Sequence, residues 1–68
     1  MPNYDEVIGF YLKDIYKVCF YFVKDQEVAM RLTRQTFMDF YDRYENVKTD
    51  WIYWELVSTA KRLAERCM

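Results

Sequence analysis

Histidine is missing from this chain altogether, and cysteine occurs only as Cys19 and Cys67. A zinc site built from His and Cys is therefore excluded by count. Neither thiol has an imidazole to activate it as a nucleophile. A disulfide framework is not expected, because Cys19 lies inside an apolar helical run and reads as a small buried hydrophobe. A single Gly and a single Pro leave no material for a phosphate-binding glycine loop and little for tight turns. Long helices with short links are expected instead. Long apolar runs are lacking too: VCFYFV, Val18 to Val23, falls far short of the ~20 residues of a membrane span. The start, MPNYDEV, has neither the basic nor the apolar region of a signal peptide. No membrane partner and a cytoplasmic location are the expectation. An excess of charge of one sign is the last absence. Ten Lys and Arg against eleven Asp and Glu give a formal charge of −1, which is not the footprint of an autonomous nucleic-acid binder. Contact with DNA would need another subunit to supply much of the positive charge.

What is present is apolar and aromatic bulk. The 68 residues are 53% hydrophobic and 21% aromatic, enough for one domain, residues 1–68, near the lower size limit for a core without metals or disulfides. Asn3 and Glu6 have capping-box spacing. Beyond them Ile8, Tyr11, Leu12, Ile15, Cys19 and Phe22 mark one helical face, widened by Val7, Phe10, Val18 and Phe20. So broad a sector predicts a first helix contacted from two sides. Lys24 and Asp25 break the pattern. Asp25 can cap a second helix, expected over Gln26 to Tyr44, whose Ala29, Leu32, Thr33, Thr36 and Phe37 recur at spacings of three and four. Phe40, Tyr41 and Tyr44 continue inward or to the flank, with Asp39, Asp42 and Arg43 outside. Glu45 to Asp50 has no period and ends in Thr-Asp, a suitable N-cap. A third helix is expected from about Asp50 to Arg66, its inner stripe Ile52, Leu56, Thr59, Ala60, Leu63 and Cys67. The fold class expected is all-α, a three-helix bundle.

No active site is legible. The carboxylates are spread over faces expected to be exposed rather than gathered in a pocket, so no catalytic, cofactor-binding or metal-binding residue is assigned. An interaction module rather than an enzyme is expected.

The stretch Asp25 to Phe37 carries more. Asp25, Glu27, Ala29, Leu32, Thr36 and Phe37 match a D-x-E-x-A-x-D-L-x-Q-E-T-F pattern, and Glu55 to Arg66 follows a W-L-x-x-I-A-x-N helix pattern through Leu56 and Ala60. In this order the features resemble region 2 of the sigma-70 family, in its short extracytoplasmic-function type, over nearly the whole chain. The resemblance implies a stand-alone, region-2-like piece of transcription machinery. The outer face of its second helix, here Glu27, Met30, Arg31, Arg34 and Gln35, would meet the clamp helices of the RNA polymerase β′ subunit or another partner. The loop and third helix, here Asn46, Lys48, Trp51, Trp54, Lys61, Arg62 and Arg66, would engage the −10 promoter element, with promoter DNA bound only in complex. Because nothing resembling region 4 is attached, a second sigma-like subunit is the implied partner.

Several positions depart from the pattern. Arg31 stands where the family is acidic, Arg34 where it has Gln, Gln35 where it has Glu, Glu55 at the Trp position and Arg62 at the Asn position. Arg31 and Arg34 would face a basic polymerase surface with like charge. Two further readings therefore stand beside the split sigma factor. One is a sigma-like regulator or decoy without polymerase docking. The other is a helical dimerisation module, with the broad face of the first helix and the Trp51–Trp54 cluster as the seam of a homodimer.

Overall fold

The computed structural model describes residues 3–67; Met1, Pro2 and Met68 lie outside the described residues. Its three helices are α1 (Tyr4–Val23), α2 (Gln26–Tyr41) and α3 (Ile52–Cys67), with 3-10 turns at Tyr44–Asn46 and Thr49–Trp51 between the last two. Each helix packs on both others, giving an all-α three-helix bundle of 33 × 19 × 16 Å. No helix among the described residues is long and apolar enough to cross a membrane.

Local chemistry sets the helix ends. The Asn3 side-chain oxygen accepts from the Glu6 N–H at 2.9 Å, while its amide donates to the Glu6 carboxylate at 3.3 Å. The first half of the capping box is thus made, and the Glu6 carboxylate reaches back to the Asn3 side-chain amide. Asp25 accepts from the Val28 N–H at 3.0 Å and opens α2 as its spacing predicts. Between them Lys24 closes α1 in the left-handed conformation, φ 57°, its N–H donating to the Phe20 carbonyl at 2.8 Å. That conformation turns the chain within two residues, and it costs a Cβ-bearing residue about 1 kcal/mol. The Lys24 ammonium lies 4.8 Å from the centre of the Tyr21 ring.

The core follows the periodicity. Val7, Ile15 and Cys19 from α1 meet Ala29, Leu32, Phe37 and Phe40 from α2 and Ile52, Leu56, Ala60 and Ala64 from α3. Phe40, Ile15, Ile52 and Leu56 are the bulkiest apolar side chains fully removed from water, each contributing roughly 1.5–3 kcal/mol. Three threonines share this interior. Thr33 and Thr36 donate to the carbonyls of Ala29 and Leu32, each at 2.7 Å, and Thr59 donates to that of Glu55 at 2.8 Å. Going back to the preceding turn is how a threonine hydroxyl is satisfied inside a helix.

Four sequence expectations need correction. The second helix stops at Tyr41, three residues short of Tyr44, and a 3-10 turn takes over. The third helix begins at Ile52, fed by the turn Thr49–Trp51, whose capping position Lys48 makes no side-chain bond. Cys67 is exposed, and Ala64 takes the buried place in the last turn. On α1, Leu12 and Phe10 face water, so the broad apolar sector is only partly covered by α2 and α3.

Candidate functional site

Packing of α2 dictates what it can offer a partner. With Ala29, Leu32, Thr33, Thr36, Phe37 and Phe40 facing inward, Glu27, Met30, Arg31, Arg34, Gln35 and Met38 are turned out. Gln26, Glu27, Met30, Arg31 and Arg34 line one shallow depression of about 420 Å³ at the N-terminal half of the helix. Gln35 is exposed on the same helix outside that lining.

Arg34 also borders a second hollow that sequence reasoning missed. It is an open groove of about 590 Å³ with Tyr4, Ile8 and Leu12 of α1 on one side and Arg34, Met38 and Tyr41 of α2 on the other. A signal for it exists in the sequence: Met38 and Tyr41 continue the outward row of Arg34 at helical spacing. Its floor is fixed by Tyr4, whose hydroxyl donates to the Phe37 carbonyl. The Tyr4 ring stands edge-on to Tyr41 and Tyr44, with centroids 4.8 and 5.3 Å away. Burial, and after it the neighbouring Tyr41 and Tyr44, push the Tyr4 hydroxyl up to about 12.

The residues assigned to DNA fall into three places. Asn46 and Lys48 sit in the link before α3, beside Glu45 and Thr49. Trp54 and Lys61 share one outward stripe of the third helix by spacing, Trp51 stands in the 3-10 turn just before it, and both tryptophans are well exposed. Arg62 and Arg66 lie one row over. Arg62 reaches across to Asp39 of α2 at 3.0 Å, so its charge is already partnered. Asp39 also faces Arg43 at 4.0 Å, and Arg43 donates to the Thr59 hydroxyl at 2.7 Å. Asp39 and Arg43 therefore join α2 to α3 rather than standing outside, as their position in the sequence suggested.

Aromatic rings link exposed Trp54 to α1. Phe10 contacts Tyr11 at 4.8 Å, Tyr11 contacts Tyr53 at 5.9 Å, and Tyr53 contacts Trp54 at 5.5 Å between centroids. The two ends of this row, Phe10 at 75% and Trp54 at 59% exposure, are the least covered. The row has the dimensions and polarity to stack on planar groups or to be covered by an apolar surface.

Cys19 offers no reactive thiol. It is fully buried, and burial pushes its thiol up despite the nearby Thr33 and Thr36 hydroxyls. Among the described residues no three potential His, Cys, Asp or Glu metal ligands come together. Comparison with family models, with curated proteins and with solved structures yields no match.

Proposed function

We propose that the chain is a transcription-associated interaction module resembling sigma factor region 2, acting as one subunit of a split sigma factor. With its partner it would engage RNA polymerase and the −10 promoter element. The observation that supports this most is the separation of two exposed faces on one small core. The α2 face gathers Glu27, Met30, Arg31 and Arg34, while the third helix and the turn that leads into it present Trp51, Trp54 and Lys61 elsewhere. Two faces let one module hold polymerase and promoter together. The exposed tryptophans suit unpaired bases, because stacking on an aromatic ring needs no particular base. The near-neutral charge suits a subunit that relies on its partner for phosphate contacts.

The test is co-purification with core RNA polymerase, alone and with a candidate region-4-like partner. Retention that depends on the clamp helices of β′ supports the reading, and failure to bind in both conditions removes it.

Arg31 and Arg34 favour a second reading, a sigma-like regulator without polymerase docking. Both are exposed at the positions where the resemblance calls for an acid and a glutamine. On that reading the chain itself does not bind polymerase, and the pair of substitutions Arg31→Asp and Arg34→Gln confers binding. No gain of affinity counts against it.

A further inference from the structure

The outward row of α2 has a symmetry that its individual residues do not reveal. Met38 is its most exposed apolar member, at 66%. One turn before it stands Arg34, and four residues after it Asp42 ends the helix with helical backbone angles; Arg31 extends the basic side two turns before it, and Glu45 extends the acidic side in the 3-10 turn beyond the helix. Positive groups on one side of Met38 are matched by negative groups on the other.

We propose that this face is a homodimer interface, in which α2 packs antiparallel to α2 of a second copy across a two-fold axis at Met38. In that arrangement Met38 meets its own counterpart. Arg34 and Arg31 then lie level with the acidic end of the other copy's row, where Asp42 and Glu45 stand. Every such contact occurs twice, as an isologous interface requires. An unrelated helix would need acids and bases placed in the reverse order to fit this row, and the chain itself supplies that order when turned end to end.

The groove beside the row gives the pairing its apolar content. Tyr4, Ile8 and Leu12 form a wall with about 590 Å³ of open space against Met38 and Tyr41, where the partner's Met38 and Tyr41 are buried. The 16 residues of α2 make a helix roughly 24 Å long.

The pairing differs from the Trp51–Trp54 seam, which lies at the entry to the third helix, and it stands whether or not polymerase binds the chain. It does use Arg31 and Arg34, so a paired chain presents neither to another protein.

Sedimentation equilibrium from micromolar to millimolar concentration, under reducing conditions so that the exposed Cys67 cannot cross-link, tests the proposal. The expected result is a monomer–dimer equilibrium that weakens with added salt. Met38→Asp, which sets two like charges on the axis, should give a monomer. Arg34→Asp alone and Asp42→Arg alone should each raise the dimer Kd by about tenfold or more, since each turns two attractive pairs repulsive. The double variant Arg34→Asp/Asp42→Arg should recover to within about threefold of the original Kd, because the order of charges is merely reversed. All three positions are exposed, and circular dichroism checks that each variant folds. A wild-type chain that stays monomeric overturns the proposal, even if it binds an acidic helical peptide. So does a dimer that survives Met38→Asp but is lost with Trp54→Ala, or a double variant no tighter than the singles.

Discussion

Replacing Thr59 by Val makes the same chemical change as replacing Thr33 or Thr36 by Val, and the structure assigns it a different cost. All three hydroxyls are buried and donate to a carbonyl one turn back. At Thr33 and Thr36 that carbonyl is already used by the helix ladder. Valine then loses a neutral hydrogen bond of about 1 kcal/mol and gains a buried methyl of about 0.8 kcal/mol. The net change should lie within about 0.5 kcal/mol. Thr59 has a further duty, accepting from the Arg43 guanidinium at 2.7 Å across the α2–α3 contact. A hydrogen bond to a charged group contributes about 1.5–3 kcal/mol. The Arg43 side chain is 37% exposed, so water replaces part of it and about 1–1.5 kcal/mol remains as the expected loss. Urea unfolding followed by circular dichroism reads this directly. With a slope of about 1 kcal/mol per molar, expected for so small a domain, Thr59→Val should lower the midpoint by about 1 M. Thr33→Val and Thr36→Val should move it by less than about half as much. An Arg43→Met background should abolish most of the Thr59→Val effect. Equal shifts at all three threonines, or no coupling to Arg43, would refute the assignment of Arg43 and Thr59 as the joint between α2 and α3.

Three other outcomes rest on single features. Gly9 lies within α1 with nothing within 4 Å of where a Cβ would stand, so Gly9→Ala should raise stability by about 0.5–1 kcal/mol in the same urea experiment. Thiol titration of the native protein should detect one reactive group, exposed Cys67, and a second, buried Cys19, only after denaturant is added. Tyr4 keeps its proton to about pH 12 when folded, against an ordinary value of 10.0. Between those values the unfolded chain sheds the proton first, so stability should fall as pH rises through that window. Comparing urea midpoints at about pH 8 and about pH 11, Tyr4→Phe should show a smaller alkaline loss, from a neutral-pH stability lower by about 1 kcal/mol through the lost bond to Phe37.

The helices were legible because they rest on local signals. Asp25 caps α2, Asn3 caps α1, and the run Ala29, Leu32, Thr33, Thr36, Phe37 is buried as its spacing predicts. Cys19 as an interior hydrophobe was legible for the same reason. The misses have a common origin in relations between helices. Periodicity says that Leu12 and Ile15 share a face, but only the placement of α2 decides that Ile15 is covered and Leu12 borders a groove. Asp39 and Arg43 looked like ordinary solvent-side charges until α3 brought Thr59 and Arg62 to them. Tyr44 sits at a helical spacing from Tyr41, yet the backbone tightens there into a 3-10 turn. Of the candidate site, the outward position of Met30, Arg31 and Arg34 was readable from the inward residues. The groove shared with α1 was not.

The exposure of Trp51 and Trp54, 58% and 59%, has an optical consequence. They are the only tryptophans in the chain, and both indoles already sit in water when the bundle is folded. Their emission should therefore lie near that of free tryptophan and shift little on unfolding, which makes fluorescence a poor monitor of folding here. The same property makes it a selective reporter of docking. A ligand or partner that covers the start of the third helix and the turn before it would move both indoles into an apolar or stacked environment and change the spectrum or quench it. A second copy seated on Met38 would leave the spectrum as it is. One cuvette can thus tell which of the two faces has been occupied.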